Sequence, residues 1–238
     1  MKYKRVLLKL SGEMLMGKQA YGIDFDACQQ VAQSIQKMHN DGIEIGIVIG
    51  GGNIFRGINL RETAMQRTPA DHMGMLATMI NGIALQQALE SVGCHAQVMS
   101  AIDCPRVAER FNWAHAREAL NKGIVLVFTG GTGNPYFTTD TCAALRASEI
   151  DADILLKATK VDGVYDKDPI KHQDAVRYEE ISYKQVLSEE LKIMDSTAIA
   201  LCQENNLPIL VFNMNRLGNH SIKEIILDKT HRTLVKGD

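Results

Sequence analysis

The chain is poor in the features that would mark a metal, disulfide, membrane or nucleic-acid protein. Its five cysteines, Cys28, Cys94, Cys104, Cys142 and Cys202, are scattered through 238 residues with no CxxC pair. That spacing argues against a zinc knuckle and for reduced thiols in a cytosol-like compartment. The seven histidines show no HxxxH-type spacing, so no His-ligated metal is expected. Aromatic residues make up only 5% of the chain, and no basic block is interleaved with them. A nucleic-acid track is therefore not expected. The N-terminus is basic, but Lys9 breaks its apolar run before a signal-peptide core could form, and no run is long enough to span a bilayer. The expectations are a cytoplasmic location and no membrane partner. Internal repeats, low-complexity stretches and linkers are also missing, so residues 1–238 are expected to form one domain. The length suffices for a substantial core, and a net charge of −2 with 23% charged residues describes an ordinary soluble globule.

What the chain does have is alternation. Short apolar runs at Arg5–Leu10, Ile43–Ile49, His95–Met99, Ile124–Phe128, Asp153–Lys157 and Pro208–Phe212 read as strands. Helical patterns lie between them: Asp24–Asn40 capped by Asp24, Pro69–Val92 opened by Thr68-Pro69, Pro105–Lys122, and one from about Thr139. Ser182–Glu190 and Asp195–Asn205 read as helices, and a last helix and strand run from Asn219 to Val235. Strands separated by helices imply an α/β fold, a three-layer αβα sandwich around a mostly parallel central sheet. Ligands of such sheets sit at the strand ends.

The stretch Thr129–Ala144, TGGTGNPYFTTDTCAA, carries the clearest chemistry. It follows a buried-strand pattern. Gly130, Gly131 and Gly133 permit a sharp turn, and Thr138, Thr139 and Asp140 open an alanine-rich helix. Strand, glycine turn and helix start together form an anion site, because free N–H groups and the positive helix end face the ligand. A glycine turn with a Thr or Asp N-cap is the plainer alternative. Gly12 to Gln19 nearly matches the P-loop pattern, but Gln19 replaces the Mg²⁺-binding hydroxyl and Gly22 does not continue a helix. Phe55 and Tyr136 occupy the third glycine position of GxGxxG, which disfavours a dinucleotide fold.

Lys9, in Lys9-Leu10-Ser11-Gly12, interrupts an apolar strand. Burying its ammonium is costly unless it meets an anion; the alternative is a snorkelling surface lysine. Gly50-Gly51-Gly52-Asn53 repeats the logic, with Arg56 adding a forked donor suited to phosphate. Two strand-end anion loops, each near a basic side chain, suit two phosphate-bearing ligands that meet, as in a phosphotransferase.

These segments also carry a resemblance. KLSG, GGGNIFRG, the helix start at Asp71-His72-Met73-Gly74-Met75, GTGNPYFTTDTCAALRA and LLKATKVDGVYDKDP resemble the bacterial uridylate (UMP) kinases of the amino-acid kinase superfamily over essentially the whole chain. KLSG and VDGVYDKDP are shared with carbamate, acetylglutamate and aspartate kinases, whereas GNIFRG with TGNPYFTTD points to UMP. Tyr136 and Cys142 stand where Phe and Ala are expected.

The resemblance implies transfer of the ATP γ-phosphate to UMP, giving UDP and ADP, in pyrimidine (CTP) biosynthesis. It implies Mg²⁺ carried as Mg·ATP, activation by GTP, inhibition by UTP and a homohexamer. Lys9, Arg56 and Asp140 would be catalytic, with Asp140 orienting Lys9. Lys9, Leu10, Ser11, Gly12, Gly52, Arg56, Thr159, Tyr165 and Asp168 would hold ATP. Gly51, Asp71, Thr132, Gly133, Asn134, Pro135, Tyr136, Phe137, Thr138 and Thr139 would hold UMP. Gly17, Lys18, Gln19, Ala20, Tyr21 and Gly22 would form the GTP-responsive segment. No protein-held metal is implied. The alternatives at this point are a superfamily kinase acting on a carboxylate or carbamate, a non-catalytic nucleotide sensor, and a structural α/β protein.

Overall fold

Alternation along the chain becomes alternation in space. The computed structural model describes residues 3–55, 65–218 and 220–237. In chain order the elements are β1 (Arg5–Leu10), α1 (Phe25–Asn40), β2 (Glu44–Ile49), α2 (Arg67–Ser91), β3 (Ala96–Ser100), β4 (Glu109–Arg110), α3 (Trp113–Asn121), β5 (Val125–Thr129) and α4 (Thr139–Glu149). They continue with β6 (Ile154–Thr159), β7 (Glu180–Ser182), α5 (Tyr183–Ser188), α6 (Ser196–Glu204), β8 (Ile209–Asn213), α7 (Ile222–Leu227) and β9 (Arg232–Lys236).

The strands form one nine-stranded sheet in the order β4-β3-β5-β2-β1-β6-β8-β9-β7. Every pairing is parallel except β8 with β9. The fold is thus the αβα sandwich that the sequence pattern implied. Parallel central strands need both faces covered, and β2 and β5 are buried along their whole length. Alternate residues go to opposite layers. Val6, Leu8 and Leu10 of β1 join the core under α1 and α2, while Leu7 joins the core under α3, α4 and α6. Lys9 has the parity of Leu7, which sends it to the α4 side.

Helix starts follow local chemistry. Asp24 caps α1 by accepting from the Ala27 amide at 3.0 Å, and Cys28, Val31, Ile35 and Met38 line its buried face. Three sequence readings need correction. Helix α2 begins at Arg67, after Gln66, which gives no side-chain cap, so Thr68 and Pro69 lie inside the first turn rather than opening the helix. Proline is tolerated there because first-turn amides have no intrahelical acceptor. The stretch Pro105–Lys122 is helical only from Trp113, where Asn112 caps the Ala114 and His115 amides. The exposed two-residue strand β4 precedes it, held at the sheet edge. The three-residue strand β7, just before α5, also went unread. Residues 12–15 form a single 3-10 turn and open no helix, so the near P-loop sequence is not a P-loop in space.

Helix α2 is unusual on its outer side. Met73, Leu76, Ile80 and Ile83 are 41%, 51%, 49% and 43% exposed, at helical spacing. No Asp, Glu, Lys or Arg falls between Asp71 and Glu90. Among the described residues no helix is long and apolar enough to cross a membrane.

All five cysteines are unpaired, and only Cys104 is not buried. Burial pushes the thiols of Cys142 and Cys202 up to about 12. Burial together with the Asp24 charge pushes Cys28 up to about 11, and burial also raises Cys94. Since the thiolate is the reactive form, a disulfide reagent at about pH 8 should modify Cys104 quickly and the other four only on unfolding. Two or more fast thiols per folded chain would contradict this packing.

Candidate active site

The sheet order creates the site. From β1 the chain winds outward through β2 to β3 and β4, then returns to insert β5 between β3 and β2. Helix α4 next carries it back across β2 and β1 to β6, on the other side of β1. The strand order reverses at β1, and the C-terminal ends of β1, β2, β5 and β6 border the resulting crevice.

Lys9 of β1 and Lys157 of β6 are direct register partners. Lys157 has the parity of Leu155, which lies in the α4-side core, so both ammoniums rise on one face. They meet Asp140 in the first turn of α4. Lys9 Nζ lies 2.8 Å from Asp140 Oδ1, and Lys157 Nζ donates a hydrogen bond to Asp140 Oδ2 at 2.6 Å. Lys9 thus pairs with Oδ1 and Lys157 with Oδ2, one lysine to each carboxylate oxygen. The side chains of Lys9, Lys157 and Asp140 are only 13%, 10% and 17% exposed.

Burial alone would raise the Asp140 carboxyl, but the charges of Lys9 and Lys157 outweigh it and hold the group below the usual carboxylate range. Asp140 therefore contributes stability that is complete above the ordinary carboxylate pKa and is lost as pH falls through its lowered folded value. For Lys157, burial pulls the pKa down, Asp140 opposes the shift, and the neighbouring Lys9 adds to it; the net direction is downward. Charged Lys157 opposes folding at pH values below that lowered pKa, and the opposition fades as pH rises through it. Two cations share the one carboxylate that touches them, with Asp195 acting on Lys157 more weakly, and phosphate oxygens would add further negative charge.

Asp195 holds the start of α4 in place. Its carboxylate accepts from Thr138 Oγ1 at 2.6 Å and Thr141 Oγ1 at 2.5 Å. Thr138 is the N-cap of α4 and accepts from the amides of Asp140 and Thr141. The stretch thus contains the glycine turn with a Thr N-cap of the plainer reading.

Two cavities flank the crevice. The larger, about 550 Å³, is bordered by Lys157, Thr159, Tyr165, Asp168 and Ile193, bringing together three residues predicted for ATP. The smaller, about 180 Å³, is lined by Gly51, Gly52, Asp71, Phe137, Thr138 and Thr139, five of them predicted for UMP. Gly51 admits no side chain, because a Cβ there would stand 2.8 Å from both Ala77 Cβ and the Gly74 carbonyl oxygen of α2. Asp71 accepts from Arg67 Nε at 2.9 Å and from the Tyr136 amide at 2.7 Å. Tyr136 sits at φ 72°, a left-handed conformation uncommon for a residue with a Cβ, and the Asp71 bond helps hold it there.

The remaining predicted residues are placed differently. Thr132 and Asn134 border a third cavity, about 450 Å³, between α4 and α6 on the other side of Phe137. Gly133, Pro135 and Tyr136 line none of the three. Leu10 is fully buried, so only its backbone can face a ligand, and Ser11 Oγ caps the 3-10 turn that begins at Gly12. Residues Gly17 to Gly22 form an exposed turn region beside the β2-end loop, with Tyr21 78% exposed. Arg56 lies outside the described residues. Among the described residues, no three His, Cys, Asp or Glu gather where they could hold a metal ion.

Lys157 and Asp195 were missed from sequence. Lys157 carried the same signal as Lys9, a lysine interrupting an apolar strand: LLKL in one, LLKA in the other. Asp195 showed nothing beyond an ordinary helix start.

Fold and site together define an α/β protein with two buried lysines and a carboxylate gathered in the crevice at the switch point of its sheet. The profile described as the amino acid kinase family matches residues 4–213. The uridylate kinase of Protochlamydia amoebophila is 61% identical over 232 residues, 98% of this chain and 92% of that protein. That of Colwellia psychrerythraea is 51% identical over 233 residues, 98% of this chain and 94% of the relative. Among solved structures, the UMP kinase from Ureaplasma parvum superposes with a TM-score of 0.92 at 41% identity, covering 99% of this chain and all of that one. The UMP kinase from Bacillus anthracis gives 0.93 at 36% identity, covering 99% and 97%. The chain belongs to the amino acid kinase family and, within it, to the uridylate kinases.

The charge balance of the crevice separates function from stability. Replacing Lys157 with methionine removes the buried cation that opposes folding. Lys157→Met should keep or raise the melting temperature at neutral pH while slowing turnover by at least about a hundredfold, the scale of losing one charge contact to a transition state. Lys9→Ala should slow turnover by a similar factor. A Lys157→Met protein that melts several degrees lower and turns over normally would contradict the role given to this charge.

Proposed function

We propose that this chain is a UMP kinase, transferring the γ-phosphoryl group of ATP reversibly to UMP to give ADP and UDP, within pyrimidine nucleotide (CTP) biosynthesis. The observation that carries the reading is the Lys9–Asp140–Lys157 cluster at the strand ends, with a nucleoside-sized cavity on one side and the Asp71 cavity on the other. Phosphoryl transfer asks for positioning and charge neutralisation more than for covalent chemistry. The second pKa of a phosphate monoester is about 6, so UMP arrives mostly as a dianion and no base is needed to create the nucleophile. Asp140 is accordingly not the base. It sets the two ammoniums side by side, aimed at the oxygens of the transferring group.

In this reading Lys9, Gly12 and Gly52 lie along the ATP phosphates, and Thr159, Tyr165 and Asp168 surround its nucleoside. Gly51, Asp71, Thr138 and Thr139 hold UMP, with Thr132 to Phe137 folding over it. Arg56 adds a second cation at the acceptor phosphate. Asp140 faces lysines with both oxygens, so the donor set suits a divalent ion held mainly by nucleotide phosphates and water, as Mg²⁺ prefers. Bound in that way, Mg²⁺ would neutralise charge on the ATP phosphates.

Activation by GTP through residues 17–22, inhibition by UTP, a homohexamer and a cytoplasmic location complete the proposal. The uncharged aliphatic face of α2 supports self-association, since such a face is best covered by its symmetric copy. The five free thiols fit a reducing compartment.

The test is ADP formation from Mg·ATP with UMP, CMP, dTMP and acetylglutamate in parallel, with and without GTP. Turnover confined to UMP is expected, rising with GTP; activity on acetylglutamate alone would keep the family and discard the substrate. Tight binding of both nucleotides without ADP would indicate a sensor. Asp71→Ala should raise the KM for UMP more than that for ATP, and equal effects on both would remove Asp71 from the UMP side.

A further inference from the structure

Behind the β2-end loop lies a buried pair of amides that the reaction does not use. Asn53 and Asn81 are 2% and 0% exposed and face each other reciprocally. Asn53 Nδ2 donates to Asn81 Oδ1 at 3.0 Å, and Asn81 Nδ2 donates to Asn53 Oδ1 at 2.7 Å. Each amide has one N–H left, and each gives it to a glycine carbonyl. Asn53 Nδ2 donates to the Gly22 oxygen at 2.8 Å, and Asn81 Nδ2 donates to the Gly50 oxygen at 2.7 Å. The Gly22 amide in turn donates to the Asn53 carbonyl at 2.8 Å. All four side-chain N–H bonds are used, and flipping either amide would set nitrogen against nitrogen.

Gly12 closes the arrangement from the β1 side. A Cβ there would stand 2.3 Å from Asn53 Oδ1, 2.5 Å from the Gly50 oxygen and 2.9 Å from Asn81 Nδ2. The pair thus joins four pieces: the end of β1, the exposed segment 17–22, the Gly50–Gly52 turn and helix α2, which carries Asp71. Two leucines have nearly the same shape as two asparagines, and replacing both partners of a buried hydrogen bond with apolar groups is often close to neutral. Simple space filling therefore does not account for amides here; holding two particular carbonyls does.

We propose that Asn53 and Asn81 are positioning residues that set the Gly50–Gly52 turn and tie it to segment 17–22, so that a ligand held at either place is felt at the other. The inference rests on Gly51 and Gly52 belonging to the substrate site, as proposed above, and gives that site a physical link to the segment assigned to GTP. Coupling of this kind is reciprocal in binding free energy.

The test uses the full-length protein and the double variant Asn53→Leu/Asn81→Leu, which keeps the shape and removes the four donors. In the unaltered protein, saturating UMP should slow hydrogen exchange at the Gly22 amide as well as around Gly50–Gly52. In the double variant that slowing should vanish, the KM for UMP should rise about tenfold, and turnover at saturating UMP should stay within about threefold. A merely structural role would lower the melting temperature and leave the Gly22 response to UMP and the KM unchanged; that result overturns the proposal. Unchanged exchange at Gly22 when UMP binds the unaltered protein overturns it too, even if the variant does not fold. If calorimetry finds no UMP binding at all, the acceptor reading fails separately. The clasp then stands only if the double variant speeds exchange at the Gly22 and Gly50 amides together, and it falls if one changes without the other. A missing GTP response alongside a UMP-linked change at Gly22 would remove the effector and support the clasp.

Discussion

Two ammonium groups held beside one carboxylate, all three side chains mostly buried, set the terms for the rest of this structure. Burying a charge costs several kcal/mol unless it is paired, so the fold must bring Asp140 to the lysines and keep it there. Strand parity does the first part, sending Lys9 and Lys157 to the α4 side as register partners. The reversal of strand order does the second, because only a helix crossing from β5 to β6 passes over both strand ends. Asp195 then anchors the crossing helix by its first turn through Thr138 and Thr141. A shift of that turn would leave a buried lysine unpaired, so stability and site geometry are enforced together.

The side proposed for the acceptor uses a different means. There the fixed points are close backbone approaches and neutral amides rather than charge pairs. Gly51 lets α2 come within contact of the β2-end loop, and Asp71, from that helix, reaches across to the strained Tyr136 in the loop after β5. Neutral hydrogen bonds suit a place where a phosphate dianion is to arrive, because a fixed carboxylate facing the phosphate would repel it. Asp71 avoids this conflict by pairing with Arg67.

Much of the framework was legible because burial leaves a simple trace. Apolar runs of strand length gave six of the longer strands to within about two residues, a margin normal for element ends, and β9 was read only as the close of a last helix and strand. Strands β4 and β7 left no such trace, since two exposed residues and three residues with one buried side chain carry no periodic pattern. Lys9 stood out because it interrupts a hydrophobic strand, and Lys157 deserved the same reading. The glycine clusters announced turns, but not which ligand loop each would line; Thr132 and Asn134 fall beyond Phe137 from Thr138 and Thr139. Asp195 and the Asn53–Asn81 pair were invisible for a different reason. Their meaning lies in contacts between elements distant in sequence, and a single Asp at a helix start or Asn in a helix has no one-dimensional signature.

The same cluster decides what kind of chemistry this crevice can perform. A general base must be able to take a proton, yet Asp140 sits between two cations and is held below the ordinary carboxylate range. It would be a poor proton acceptor at neutral pH. Lys157 is pulled the other way, toward losing its proton, because burial and Lys9 together exceed what Asp140 gives back. In the proposed reaction an arriving phosphate oxygen would oppose that shift and favour the charged lysine. There the two ammoniums would meet the transferring charge, and their stabilisation would grow as negative charge develops between donor and acceptor. A cluster of this composition is suited to meeting an anion, as the proposed transfer requires, and poorly suited to taking a proton.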